Sequence, residues 1–466
     1  MEKNLLVRLR KGEPLTSWQQ VQLILQLSFP TILAQLSTIL LEFADAAMVG
    51  HLGAQEAASI GLVASTTWLF GGLISAAASG YTIQIAHRIG AGEEQKARVL
   101  VRHGLAVAVG FGAALMLAGL MISGKLPHWL GGDPSVCGDA AAYFRIFMLQ
   151  VPLMQVNRMA GGMLQCSGEM KIPGMLDILM CLMNIVFNVL LIFPSGTFVI
   201  PGTGFYLPGA GLSVRGAAWG TLLSVMVSMT AMLCYLLLRA PMLRLRPGEG
   251  EAVSKDEIRR AFRISVPQAV ESVVTGSAYV AFTAVVAPLG TIALAANSFS
   301  ITAESICYMP GYGIGVAATT LIGQCYGAGR QDLTRRLSWL LTALAMGIMA
   351  GAGVLMYIFA PQMIGLLTPD PAVRELGTAV LRIEAFAEPF YAASIVVSGV
   401  FRGYGDTLTS SILNLISMWA VRIPLAAFFS AGWGLRGAWT AMCIELYVRG
   451  TLFLGRLVRK STQQKR

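Results

Sequence analysis

Charge is the scarcest property of this chain. Only 12% of its 466 residues are Asp, Glu, Lys or Arg, 55% are hydrophobic, and the mean hydropathy is +0.66. Soluble domains carry about 25% charged residues, so a water-exposed globular fold is excluded. The seven cysteines (137, 166, 181, 234, 307, 325 and 443) are scattered without a CxxC pair, which argues against a disulfide framework and a cysteine metal site. Histidine is rarer still. His51, His87, His103 and His128 form neither HExxH nor an acid–His motif, so the chain is not expected to be an enzyme or to need a cofactor. No GxxxxGK[ST] loop occurs, and GYGIG at Gly311–Gly315 lacks that pattern, so ATP-driven pumping by this chain is not expected.

What is present in abundance is long apolar sequence. Twelve segments stand out, at about 21–49, 57–84, 99–124, 142–165, 172–193, 214–239, 261–287, 294–324, 335–360, 377–401, 408–431 and 435–456. Most reach the ~20 residues that cross a bilayer as a helix. Backbone groups in lipid must bond within their own segment, which leaves an all-α integral membrane protein. No signal peptide is expected: the first 20 residues are polar and basic, and the first apolar run is too long for an h-region.

The net charge of +10 follows from topology. With both termini cytoplasmic, 25 of the 34 Lys and Arg fall on the cytoplasmic side and six (Lys125, Arg145, Arg215, Arg374, Arg382 and Arg436) on the outer side. That is the positive-inside asymmetry, and nucleic acid is not an expected partner.

The chain also repeats itself. A shift of 237 residues places Pro30 on Pro267, Gly53 on Gly290, the GAG at Gly90–Gly92 on the GAG at Gly327–Gly329, Arg145 on Arg382, and Pro152 on Pro389. Past an extra loop in the first half (Pro194–Gly211), RGA at Arg215 meets RGA at Arg436 with a shift of 221. One register held over five segments and changed once by an insertion indicates gene duplication. Six segments per half make the repeats parallel, with a pseudo-two-fold along the membrane normal. The expected organisation is a cytoplasmic segment 1–20, an N-lobe 21–239, a linker 240–260, a C-lobe 261–456 and a tail 457–466.

Polar residues at membrane depth are expensive and mark function. Asp45 ends the first segment, in FADAAMVGHLG; NIVFN puts Asn184 and Asn188 one turn apart on the fifth; Thr221 lies on the sixth. All four fall at about the same level. An oxygen cage of this kind suits a hard cation such as Na⁺, and a buried carboxylate equally suits a proton. The repeat supplies a control: their counterparts are Phe282, Val421, Leu425 and Met442, all apolar. In the second half, Glu271, Glu304 and Glu388 fall near mid-membrane opposite Ala34, Thr67 and Val151. They are candidates for proton coupling or for attracting a cationic substrate, with Arg422 and Arg449 as alternative ion-pair partners. Glu445 and Arg449, four residues apart, read as a structural pair.

These motifs, with the GAG loops, AATTLIGQCYGAG at Ala317–Gly329 and FRGYGDT at Phe401–Thr407, resemble the multidrug and toxic compound extrusion (MATE) family over roughly residues 20–456. The resemblance implies twelve helices in two six-helix lobes and export of small organic, often cationic, compounds in exchange for Na⁺ or H⁺. It also implies a first-lobe cation site on Asp45, Asn184, Asn188 and Thr221, with Asn188 standing where some relatives have Asp. Glu271 is similar in helix to a second-lobe Glu of other branches. The expected protein is a monomeric, multi-pass component of a bacterial cytoplasmic membrane. A flippase for lipid-linked or polysaccharide precursors shares the architecture but calls for a basic central cavity, whereas the mid-depth excess here is acidic.

Overall fold

The structure is a computed structural model that describes residues 3–10, 13–50, 52–195, 209–246 and 252–463; most of the extra loop of the first half lies outside the described residues. The helices, in chain order, are α1 (Lys3–Arg10), α2 (Ser17–Gly50), α3 (Ala54–Gly90), α4 (Glu94–Ile122), α5 (Leu126–Trp129), α6 (Pro134–Cys166), α7 (Lys171–Ile192), α8 (Ser213–Cys234), α9 (Lys255–Val286), α10 (Thr291–Gly327), α11 (Gln331–Leu367), α12 (Pro371–Glu384), α13 (Glu388–Tyr404), α14 (Thr407–Leu415) and α15 (Ile423–Gln463). Among the described residues the extended pairing is an isolated bridge between Pro194 and Ala210.

By length and composition, nine stretches of the described residues qualify as membrane spans. The count becomes twelve for physical reasons. One further pass, α6, is diluted by Asp139, Arg145 and Arg158. A break at Ala385–Ala387 divides the tenth pass into α12 and α13, with Pro389 in the first turn of α13. The last long stretch, Thr407–Gln463, holds two passes, because Gly434 leaves helical geometry at φ +58° and turns α15 back on itself. The protein is thus an all-helical, multi-pass membrane protein.

Local chemistry sets the helix ends. Asp133 and Asp370 cap α6 and α12, each with Pro at the first helical position, and accept from backbone N–H groups of the first turn. The exposed Asp133 carboxyl also accepts from the Ser135 hydroxyl, and these bonds hold it below the usual carboxylate range. The GYGDT stretch is a stop and a restart: Gly405 ends α13 at φ +80°, and Asp406 caps α14 by accepting from Thr409 N.

The chain divides into two compact units: Met1–Leu36 with Ala86–Glu93 and Phe262–Arg466, and Ser37–Ile85 with Glu94–Ala261. We call them the second-half unit and the first-half unit. The division differs from a cut between the repeats, because the start of α2 and the end of α3 group with the second-half helices. Close packing explains both pieces. Thr31 donates from Oγ1 to the carbonyl of Gly313 at 2.9 Å, and a Cβ on Gly313 would meet the Ile32 backbone at 2.7 Å. A Cβ on Gly90 would collide with the carbonyl of Gln324, and a Cβ on Gly327 with the carbonyl of His87. Gly90 and Gly327 are repeat equivalents, and so are His87 and Gln324. This reciprocity is the signature of a two-fold relation, and it explains why both repeats keep GAG.

Candidate functional site

In the first-half unit, α2, α7 and α8 build a hydrogen-bonded chain of oxygens and amides. Asn188 Nδ2 donates to Asp45 Oδ1 at 2.7 Å and to Asn184 Oδ1 at 2.8 Å. Asn184 Nδ2 donates to Thr221 Oγ1 at 3.0 Å, and the Thr221 hydroxyl donates to the carbonyl of Ala217. Asn184 and Asn188 are 0% and 1% exposed; Asp45 is half-buried. The four residues expected together are together. Ser224, whose Oγ lies 3.5 Å from Asn184 Nδ2, is a fifth member that sequence reasoning missed; its signal was its place one turn after Thr221.

The geometry leaves one atom unmet. Asn188 Oδ1 is buried and has no hydrogen-bond partner. Leaving such an acceptor bare costs about 1–3 kcal/mol, and the Nδ2 of the same amide bonds the single carboxylate of the cluster. Gly220 makes room for it, because a Cβ there would collide with Asn188 Oδ1. A carboxylate, two carboxamide oxygens and a hydroxyl are hard-oxygen donors that fit a small cation.

The equivalent place in the second-half unit is filled with carbon. Phe282 and Met442 belong to one apolar cluster with Trp439, Ala441 and Leu435, and Leu425 packs against it. Polar chemistry lies at other positions of the same helices, one residue after Val421 and three after Met442. Arg422, at the end of a π-helical turn (Ile416–Arg422), donates to Glu445 Oε2 from Nε at 3.0 Å and Nη2 at 2.7 Å. Arg449 donates to the same carboxylate at 2.8 and 2.9 Å. The expected Glu445–Arg449 pair is present, and Arg422 joins it rather than Glu271, Glu304 or Glu388.

Both guanidiniums are therefore committed to Glu445. Glu304 (6% exposed) lines a small cavity with Tyr279, Phe282, Tyr308, Tyr391 and Arg422. Glu388 starts α13, and Glu384, which sequence reasoning missed, ends α12. Both are buried, and none of their four carboxyl oxygens has a hydrogen-bond partner. The break in the tenth pass thus presents two acids at paired helix ends, a construction that transporters use for ion sites. Glu384 was legible as the residue four before Glu388 in the same segment. Glu271 stands on another helix pair: Asn414 Nδ2 on α14 donates to it at 2.6 Å and Ser411 Oγ at 2.8 Å.

Comparison with known proteins follows the same outline. A family model described as MatE matches the chain twice, at residues 30–190 and 267–428, so the matches begin 237 residues apart, at the repeat register. A Thermotoga maritima protein named "Probable multidrug resistance protein NorM" is 27% identical over 440 residues, covering 92% of this chain and 90% of its own. "Multidrug resistance protein MdtK" of Edwardsiella ictaluri is 26% identical over 452 residues, covering 92% and 93%. The crystal structure of MATE in complex with MaL6 superimposes with a TM-score of 0.88 at 21% identity, over 98% of this chain and 99% of that one. That likeness concerns the fold.

Proposed function

The chain belongs to the MatE family, and on that footing we propose that it is a secondary antiporter. It exports small organic, often cationic, compounds in exchange for Na⁺ or H⁺, by alternating access, from a bacterial cytoplasmic membrane with both termini inside. The observation that carries this reading is the bare, buried Asn188 Oδ1 beside the Asp45 carboxylate. A Na⁺ ion satisfies the oxygens of Asp45, Asn184, Asn188 and Thr221 as ligands. A proton on Asp45 removes the charge that the Asn188 amide now stabilises. Either event acts on α2, whose first part, to Leu36, packs with α10 through Thr31 and Gly313, while Asp45 lies beyond it in the other unit. Pro30 removes one backbone donor at that junction, so a change at Asp45 has a helix to act through.

The substrate side of the exchange falls to the second-half acids. Glu304 among Tyr279, Tyr308 and Tyr391 offers an organic cation a carboxylate and aromatic faces. Glu384, Glu388 and Glu271 add proton-exchanging carboxyls. Arg422, Arg449 and Glu445 form a fixed charge set around which those protons redistribute.

The test is efflux of a fluorescent cation from vesicles under an imposed ΔpH or ΔNa⁺. Asp45→Asn should abolish the stimulation by whichever gradient drives transport and leave the protein folded, as judged by its thermal unfolding. Full gradient-driven activity in Asp45→Asn sinks the first-half site as the coupling site.

A further inference from the structure

Three of the six basic residues assigned to the outer side gather on one cavity. At the end of the second-half unit where α11 turns into α12, Arg374, Arg382 and Arg436 line a cavity of about 410 Å³, with Pro361, Thr378 and Glu375 completing its wall. Membrane proteins thin out positive charge on that side, so a concentration of it calls for a reason.

One of the three guanidiniums is held in place, and the donors of all three are mostly free for a ligand. Arg382 is pinned by Nε, which donates to the Tyr357 carbonyl at 3.2 Å, and its guanidinium lies 5.2 Å from the centre of the Tyr357 ring. That leaves both terminal nitrogens outside the hydrogen bond. Arg374 lies against Gly365, where a Cβ would come within 2.7 Å of Nη2, so glycine admits the side chain. Arg436 has one counter-charge, Glu375, at 3.9 Å, and that carboxylate is 83% exposed. An exposed pair at this distance contributes little. Three cations thus face one weak anion.

The surroundings are those of a lipid boundary. The Tyr357 ring beside Arg382 is 43% exposed, and Leu366, next to Gly365, is 89% exposed. Aromatic and apolar side chains exposed beside charge mark the headgroup level of a bilayer. The repeat again separates scaffold from specialisation. Arg145 and Arg215 stand where Arg382 and Arg436 do, but Cys137 replaces Arg374 and His128 replaces Gly365. The third guanidinium belongs to the second half alone.

The geometry points to a binding site for a phosphate group in this cavity, the phosphate of a lipid headgroup, gripped by the forks of Arg374, Arg382 and Arg436. Guanidinium forks match phosphate oxygens in pairs, and the adjoining apolar surface suits acyl chains. The site is separate from the transport sites and shares with that reading only the outer-side placement of these residues.

The experiment is titration of the full-length protein in neutral detergent with dihexanoyl phosphatidylglycerol, dihexanoyl phosphatidylcholine and inorganic phosphate, read by native mass spectrometry and calorimetry. Saturable binding of one phosphatidylglycerol, weakened at least tenfold in Arg374→Gln and in Thr378→Glu, is expected. Thr378→Glu keeps all three arginines and places a carboxylate among them, so it tests the site even where an arginine variant folds poorly. A Lys125→Gln variant should bind as the unaltered protein does. Inorganic phosphate binding as tightly as the lipid, with the same sensitivity to both variants, upholds the phosphate site and identifies a soluble anion as its source. Binding that phosphatidylcholine matches, or that neither variant weakens, overturns the proposal.

Discussion

The seventh and eighth helices carry Asn184, Asn188, Thr221 and Ser224; the corresponding helices of the second repeat carry Val421, Leu425, Met442 and Glu445. The same pair of helices thus hosts an uncharged oxygen cluster around one carboxylate in the first half, and a buried ionic triad in the second. Ser224 is the repeat equivalent of Glu445, and Ser228 of Arg449. Duplication kept the backbone frame and moved the chemistry to other positions on it. The two halves meet their buried polar groups differently, with small neutral partners around a single acid or with opposite charges around Glu445. Both leave some unmet: Asn188 Oδ1 in the first, the Glu384 and Glu388 carboxyls in the second.

The comparison breaks most visibly where an unmet charge is introduced. Phe282→Asp puts the Asp45 carboxylate into the cluster around Trp439 and Met442, where the buried Asn297 carboxamide is already bonded to Trp439 Nε1. It should cost about 3–5 kcal/mol, the scale of an uncompensated buried charge, seen as a large fall in thermal stability. The reciprocal Asp45→Phe should fold and lose gradient-driven efflux. If Phe282→Asp is as stable as the parent, the two places are not distinguished by packing.

Arg422→Met comes next. It leaves Glu445, which is 0% exposed, with Arg449 alone, and about 3 kcal/mol of stability should go with it. Adding Glu445→Leu to that variant should recover part of the loss in denaturation measurements. No recovery would mean that the triad matters for something other than its charge balance.

Glu384→Gln and Glu388→Gln probe the acids that have no partner. An amide has nearly the shape of a carboxyl, so stability should move by no more than about 1 kcal/mol, while the response of efflux to an imposed ΔpH should flatten. A profile identical to the parent in both variants removes these glutamates from proton exchange.

The smallest effect is expected from Gly220→Ala, which imports the residue that the second half has at Ala441. The new Cβ collides with Asn188 Oδ1. Displacing one oxygen ligand should weaken coupling-ion activation by about fivefold, near 1 kcal/mol, measured as the ion concentration giving half-maximal efflux.

Much of this architecture was legible in the residues. The apolar segments and the repeat register follow from composition and spacing, and the internal control singled out Asp45, Asn184, Asn188 and Thr221 because their counterparts are carbon. The second-half cluster was read less fully. Glu304 and Glu388 stood out as acids at depth, but Glu384 was passed over, and the choice of Glu445 as the partner of Arg422 was not available. That choice brings together residues 23 apart on helices joined through the kink at Gly434, and no periodicity reports it.

By itself, the sequence determined a membrane-spanning, all-helical, duplicated chain, because scarcity of charge and long apolar runs leave the backbone no other way to satisfy its hydrogen bonds in lipid. Its own repeat also marked which polar residues are specialised. Tertiary structure decided which of those groups satisfy one another. It bonded Asn188 to both Asp45 and Asn184 while leaving one oxygen bare, gave both arginines to Glu445, and drew the start of α2 in with the second-half helices. Partner choice depends on distance and direction across helices, and only packing settles these.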